Sequence, residues 1–130
     1  MSAKLDRLKK DYEALARGDL TAATEDWPDD FVLEGYNAEG LVLSGVHEGK
    51  EAALRALAAM VASYDEWRFV PDEFLEHEET IVVIGHAKAR KGDRSLKLPV
   101  VAVWRFENGQ PRRAQTLTDT LAAARFLDSV

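Results

Sequence analysis

The chain has 130 residues, of which 46% are hydrophobic and 31% charged, a composition typical of one globular domain rather than of a disordered segment. It contains no cysteine, which excludes disulfides, thiolate nucleophiles and cysteine-ligated zinc. Its net charge of −6 argues against a nucleic-acid partner, because phosphate binding needs a concentrated basic surface. Since no apolar run reaches the roughly 20 residues of a membrane span and the N-terminus lacks a signal-peptide core, we expect no membrane association and a single cytoplasmic domain over residues 1–130.

The first half of the sequence is dominated by helical periodicity. Gly18 ends a first helix, and Asp19 is placed to cap a short second one before the Trp27-Pro28 break. A third, alanine-rich helix carries an apolar stripe that we expect to be buried, formed by Leu54, Leu57, Val61 and Tyr64. The pattern predicts helices over residues 2–17, 20–26 and 50–63, and strands over 31–36 and 41–43 on either side of a turn at 37–40.

The second half alternates with the period of a strand. Asn108-Gly109 is a strong hairpin signal, residues 91–93 and 77–79 predict two further turns, and a short final helix over 121–127 is capped by Asp119 or Thr118. We predict long strands over 67–76, 80–90, 96–107 and 112–118. The third of these presents an unbroken inward apolar row of Leu96, Leu98, Val100, Ala102, Trp104 and Phe106.

Helices followed by a meandering sheet indicate an α+β fold, with a curved antiparallel sheet and the helices gathered on one of its faces. On the outward face of the third long strand, Val101 and Val103 are two apolar residues where polar ones are usual. They are either scattered surface residues or part of a dimer interface, and we expect a homodimer through this outer face.

Five sequence segments, in their order and spacing, resemble those of a known family. They are Tyr12-Glu13-Ala14-Leu15-Ala16-Arg17-Gly18-Asp19-Leu20, Asp29-Asp30-Phe31-Val32-Leu33-Glu34, Ser44-Gly45 with Gly49-Lys50-Glu51-Ala52, Val103-Trp104-Arg105-Phe106-Glu107-Asn108-Gly109, and Asp119-Thr120. The chain thereby resembles the nuclear-transport-factor-2-like superfamily, especially the SnoaL-like proteins and the ketosteroid isomerases. The resemblance implies a cone-shaped sheet wrapped around the N-terminal helices, with a pocket inside the cone.

The resemblance also implies where catalytic residues would lie. The base of a ketosteroid isomerase falls on Glu34, but its two oxyanion donors fall on Asp11 and Ala102, and losing one such donor typically costs roughly 10²–10³ in rate. The aspartate and histidine of the SnoaL-like cyclases fall on Thr116 and Ala102, neither of which exchanges a proton near neutral pH. The usual machinery of both groups is therefore missing.

Three residues remain as catalytic candidates: Glu34 as general base, with Asp11 and Tyr36 as polar partners. The plainer interpretation is that Glu34 accepts structural hydrogen bonds and that Asp11 lies on the rim in water. The expected pocket wall consists of Trp27, Ala102, Trp104, Thr116 and Thr118.

The histidines do not match a metal-binding motif. His47, His77 and His86 lie in a loop, a turn and a strand, without helical ligand spacing or cysteine companions, so we expect neither a metal nor a cofactor. His47 remains a candidate for the pocket rim, because its loop precedes the third helix and loops at that place can rim the pocket. The sequence as a whole indicates a protein that binds a small apolar molecule, with isomerase, lyase or hydrolase-type acid–base chemistry as one hypothesis. A non-catalytic ligand-binding or dimerisation module is the alternative.

Overall fold

The computed structural model describes residues 2–36 and 43–127 and has the α+β architecture that the sequence predicts. Within these residues the helices come mainly at the start of the chain and the long strands follow. The elements in chain order are α1 (Ala3–Ala16), α2 (Leu20–Ala23), β1 (Val32–Tyr36), β2 (Gly45–Glu48), α3 (Lys50–Ala62), β3 (Glu66–His77), β4 (Thr80–Lys91), β5 (Arg94–Glu107), β6 (Gln110–Thr118) and α4 (Thr120–Phe126).

The strands form one curved, unclosed sheet in the order β2-β1-β6-β5-β4-β3. Neighbouring strands pair antiparallel except for β1 and β6, which run parallel, so the expectation of a wholly antiparallel sheet needs this correction. A parallel pair requires a long crossover, and here α3 and four strands lie between the two partners. The parallel pairing decides which residues of β1 face inward.

Polar side chains set the helix ends. The Ser2 hydroxyl accepts a hydrogen bond from the Leu5 amide at the start of α1, and the Asp19 and Asp119 carboxylates cap α2 and α4 in the same way. Helix α2 ends at Ala23, three residues earlier than predicted, and the Thr24 hydroxyl donates a 2.8 Å hydrogen bond to the Leu20 carbonyl. A residue before proline avoids the helical region, which agrees with a chain that has left the helix before Trp27.

Helix α3 packs through its small residues. Ala53 and Ala56 are buried, whereas Leu54, Leu57, Val61 and Tyr64 are only half-buried, so the predicted stripe is displaced toward the alanines. Alanine allows the helix to approach the sheet closely. Leu57 and Tyr64 keep some exposure because they border the internal cavity described below.

Strand β2 was not predicted from the sequence. It pairs antiparallel with β1, so that Leu33 lies opposite His47 and Gly35 opposite Gly45. The predicted turn at 37–40 lies outside the described residues, as does the predicted strand at 41–43 except for Leu43. That residue has a φ of 66°, in the left-handed region rather than in an extended conformation.

The long strands and their turns agree with the prediction. Asn108 and Gly109 both have positive φ and join β5 to β6, as expected for a tight hairpin. The second half of the inward row of β5, from Val100 to Phe106, packs into the main core, whereas Leu96 and Leu98 pack in a second cluster with Ala87 and Ala123. The buried members of the main core include Leu8, Tyr12, Trp27, Phe31, Leu33, Ala102, Trp104 and Phe106. None of the helices among the described residues is long and apolar enough to cross a membrane.

Candidate functional site

A cavity of about 150 Å³ lies between the N-terminal helices, α3 and the inner face of the sheet. This volume is about that of an engineered apolar cavity that holds benzene. All three tryptophans of the chain, Trp27, Trp67 and Trp104, contribute to its wall. Most of the other described lining residues are apolar, and they include Leu8, Leu15, Leu33, Leu57, Met60, Phe69, Leu98 and Val100.

The aromatic wall near α1 is built by contacts between rings. Trp27 stacks on Phe31 with ring centroids 4.1 Å apart, and Trp104 lies 6.4 Å from Trp27. The Trp104 indole nitrogen donates a 2.8 Å hydrogen bond to the Tyr12 hydroxyl oxygen. Burial chiefly raises the pKa of Tyr12, so the hydroxyl keeps its proton. These rings form an apolar wall with one polar group set into it.

Among the described residues that line the cavity, Asp11 is the one with a carboxyl side chain. Its side chain is buried, and its Oδ1 atom lies 3.2 Å from Nε of Arg7, one helical turn earlier. Arg7 also lies 3.7 Å from Oδ2 of Asp26 and so bridges two acidic side chains. Burial, followed by the nearby charge of Asp26, raises the pKa of Asp11 to about 7, against the opposing effect of Arg7. Asp11 therefore exists in both protonation states near neutral pH.

Asp26 and Arg7 were not among the residues singled out from the sequence. The ion pair of Arg7 with Asp11 could have been predicted from the sequence, because the two residues have i,i+4 spacing on α1. The approach of Asp26 depends on where α2 ends, which the sequence placed three residues too late. Oδ1 of Asp26 is buried, and no described residue donates a hydrogen bond to it.

Glu34 does not lie in the cavity, and the expectation that placed it there is corrected. Its carboxylate is on the outer face of the sheet, where it accepts hydrogen bonds from Arg113 and, at 3.2 Å, from Gln115. The hydrogen bond from Arg113 lowers the pKa of Glu34, which makes it a weaker base. Tyr36 is 46% exposed on the same face, and its hydroxyl accepts a 2.9 Å hydrogen bond from Gln115.

The alternation of β1 explains this placement. Leu33 and Gly35 are the inward positions of the strand, and neither can exchange a proton. Gly35 has no room for a side chain, since a Cβ built on it would lie 1.7 Å from the Leu43 carbonyl oxygen. Glu34 and Tyr36 therefore share a face, as predicted, but that face points away from the cavity.

The predicted wall residues do come together around the cavity. Trp27, Ala102, Trp104, Thr116 and Thr118 all line it. Ala102 lies opposite Thr116 in the pairing of β5 with β6, which brings the two onto the inner face. The Thr118 hydroxyl donates a 2.7 Å hydrogen bond to the Pro99 carbonyl, so its proton is already used within the protein.

The histidines lie outside the described cavity lining. His86 contacts Asp72 at 2.9 Å, and His77 lies 3.9 Å from Glu78. His47 lies opposite Leu33, and no described residue offers a hydrogen-bond partner to its buried Nε2 atom. Within residues 2–36 and 43–127, no three histidine or carboxylate side chains converge as a metal ion would require.

Residues 9–114 match the family model of the SnoaL-like domain. A nuclear-transport-factor-2-like protein of unknown function from Burkholderia pseudomallei has 30% sequence identity and a TM-score of 0.87, with 98% of each chain covered. The structure of TerC, co-crystallised with polyporic acid, has 20% identity and a TM-score of 0.88, covering 98% of this chain and 99% of TerC. A SnoaL-like protein from Jannaschia has 15% identity and a TM-score of 0.77, covering 98% of this chain and 90% of the other. Among curated proteins, none matches the chain.

Proposed function

Because the chain belongs to the SnoaL-like domain family, we propose that it binds a small, flat, largely apolar molecule in its cavity and that Asp11 acts on this molecule as an acid–base group. The observation that carries the proposal is the pairing of an aromatic wall with one buried carboxyl group. Pockets of this composition bind their ligands through apolar contacts and orient them through a few polar groups. The TerC structure with polyporic acid supports a small-molecule role for this fold.

The acid–base part of the proposal is supported by the setting of Asp11. Its carboxyl group is buried among apolar side chains, and its pKa of about 7 lets it accept or donate a proton at neutral pH. Asp26 raises that pKa and Arg7 lowers it, so their opposing effects contribute to a value near neutral pH. Proton transfer by a positioned side chain is a step that isomerases, lyases and hydrolases share.

Nitrobenzisoxazole is a suitable probe because it is flat, apolar and opened by a base. The Asp11 carboxylate would take the proton from ring carbon, the nitrogen–oxygen bond would break with its electron pair left on oxygen, and a coloured cyanonitrophenolate would form. We expect the rate to rise with pH through about 7, as Asp11 loses its proton. Asp11→Asn should lower the rate by about a hundredfold, the lower end of what general bases contribute.

Glu34→Gln is the matched control because it neutralises a carboxylate on the outer face. It should leave both the rate and its pH dependence unchanged. A rate that survives in Asp11→Asn would contradict the acid–base role. If the probe binds, seen as quenching of the three cavity tryptophans, but never reacts, the non-catalytic ligand-binding alternative is favoured.

We propose further that the outer face of the sheet joins two copies of the chain. Val101 and Val103 lie beside three other apolar residues on neighbouring strands, namely Val82, Ile84 and Leu117. Ile84 is 37% exposed and Leu117 42% exposed, so the patch is open in one chain. The polar group formed by Glu34, Arg113 and Gln115 borders it, as polar rims border interface cores.

A further inference from the structure

The cavity wall carries charge of one sign. No lysine, arginine or histidine is among its described lining residues, whereas Asp11 contributes a carboxyl group. That carboxyl group receives one hydrogen bond from the described residues, from Nε of Arg7 to Oδ1 at 3.2 Å. Asp11 is only 8% exposed, so bulk water solvates it poorly. A buried carboxylate with unused acceptor positions costs free energy, and a ligand that donates to it recovers part of that cost.

Positive charge is also in short supply around Asp11. Arg7 lies within 4 Å of both Asp11 and Asp26, so one cation faces two carboxyl groups. The Arg7 side chain is 44% exposed, against 10% for that of Asp11, so water screens its charge more strongly. Oδ1 of Asp26 is buried as well, and the described residues donate no hydrogen bond to it. A second cation, brought by a ligand, would balance the charges at this wall.

The rest of the wall suits a cation that is attached to an apolar ring. Its aromatic side chains include Tyr12, Trp27, Trp67, Phe69 and Trp104. The face of an aromatic ring attracts a cation, most strongly in tryptophan, and the attraction grows where water is excluded. The net charge of −6 on the whole chain also favours the approach of a cation over that of an anion.

We propose that the cavity selects cyclic ligands that carry a protonated amino group, with the Asp11 carboxylate as counter-ion and the three tryptophans as aromatic partners of the cation. An ammonium group only donates hydrogen bonds and a carboxylate only accepts them, so the two are complementary. The volume of about 150 Å³ suits a ligand of about one ring with a short arm. The inference deepens the proposed binding function, because it names the charge of the ligand, and it rests on that function.

Benzylamine, benzyl alcohol and benzoate form a matched series, since each has one benzene ring with one short polar arm. At about pH 8 they are cationic, neutral and anionic, because an alkylammonium group keeps its proton there as lysine does. Their affinities are measured by calorimetry on the intact protein, on Asp11→Asn and on Glu13→Gln, an exposed carboxylate change on the same helix.

We expect the intact protein to bind benzylamine about tenfold more tightly than benzyl alcohol, and benzoate most weakly. Asp11→Asn should weaken benzylamine binding by about tenfold and change benzyl alcohol binding by less than about twofold. Glu13→Gln should change neither affinity. Equal affinities of benzylamine for the intact protein and for Asp11→Asn would contradict the role of Asp11 as counter-ion.

Proton release on binding tests the counter-ion without any variant. A bound cation stabilises the ionised form of Asp11, so benzylamine should displace protons from the protein at about pH 7, whereas benzyl alcohol should displace none. Calorimetric heats in buffers of different ionisation enthalpy measure this release. Equal proton release by the two probes would contradict a cation next to Asp11.

Fluorinated tryptophan tests the aromatic partners. All three tryptophans of the chain line the cavity, so biosynthetic incorporation changes no tryptophan elsewhere. Fluorine withdraws electron density from the ring face, so benzylamine should bind more weakly and benzyl alcohol about as before. Unchanged benzylamine binding would contradict the role of the tryptophans.

The three probes also separate this inference from the proposed function. Benzyl alcohol bound at least as tightly as benzylamine would overturn the selectivity for cations and leave the binding function standing. Benzoate bound most tightly would overturn it too, and would assign the charge recognition to Arg7. If none of the three binds the intact protein, the binding function itself fails, and this inference with it.

Discussion

Glu34 lies directly opposite Gln115 in the parallel pairing of β1 with β6, and its Oε1 atom accepts a 3.2 Å hydrogen bond from the Gln115 amide. Together with the ion pair to Arg113, this contact holds the carboxylate on the outer face of the sheet. The residue before it, Leu33, lies opposite Ala114 and faces the cavity. The chemistry of the cavity therefore has to come from α1, where Asp11 and Tyr12 lie, rather than from β1.

The stability of the protein should depend on pH through Asp11. Its pKa in the folded state, about 7, lies above the value of 3.8 that describes the free side chain, so the native state binds more protons between about pH 4 and about pH 7. The free energy of unfolding should therefore fall as pH rises through this window. Asp11→Asn should remove this dependence and be more stable than the parent by about 1–3 kcal/mol at about pH 8, with little difference at about pH 4.

Urea denaturation at a series of pH values measures this effect. Glu13→Gln, an exposed carboxylate change on the same helix, is the control and should follow the parent profile. Parallel profiles for the parent and Asp11→Asn would show that Asp11 titrates normally and is not desolvated.

The pKa of Asp11 should respond in opposite directions to its two charged neighbours. Asp26 raises this pKa and Arg7 lowers it, so Asp26→Asn should move the titration below about 7 and Arg7→Met should move it above. The carboxyl carbon resonance of Asp11, followed by NMR against pH, reports both shifts. Shifts of the same sign in the two variants would be incompatible with the arrangement of Arg7 between the two carboxyl groups.

The outer apolar patch should hold two chains together. Val101 lies between Ile84 and Leu117, so Val101→Asp would place a charge at the centre of the proposed interface. We expect the parent to scatter light as a dimer and this variant as a monomer at micromolar concentration. Ser95→Asp, at an exposed outward position near the start of β5, should remain dimeric. A monomeric parent protein would contradict the proposed dimer.

Much of the architecture follows from local sequence. The alternation of β5, the Asn108-Gly109 hairpin and the caps at Asp19 and Asp119 are short-range features, and each has the predicted outcome in the structure. Strand β2 was missed because it has only four residues, 45–48, and begins with a glycine of positive φ, so that its alternation is too short to identify a strand.

The site was harder to predict because it depends on contacts between distant residues. Alternation showed that Glu34 and Tyr36 share a face, but the face is decided by the pairing of β1 with β6, about eighty residues later in the chain. The unusual pKa of Asp11 likewise comes from burial and from Asp26, neither of which has a signature in one sequence. The wall residues Trp27, Ala102 and Trp104 could be predicted from the sequence, because apolar residues at inward positions predict a core.

A crystal structure of the protein grown with bromobenzene, read for the anomalous signal of bromine, tests the central claim most directly. An apolar ring of this size fits a cavity of about 150 Å³. We predict a bromine peak inside the cavity, among Trp27, Trp67 and Trp104. A cavity closed by side chains, or filled by ordered water with no bromine signal, would contradict the proposal that this protein binds small apolar molecules.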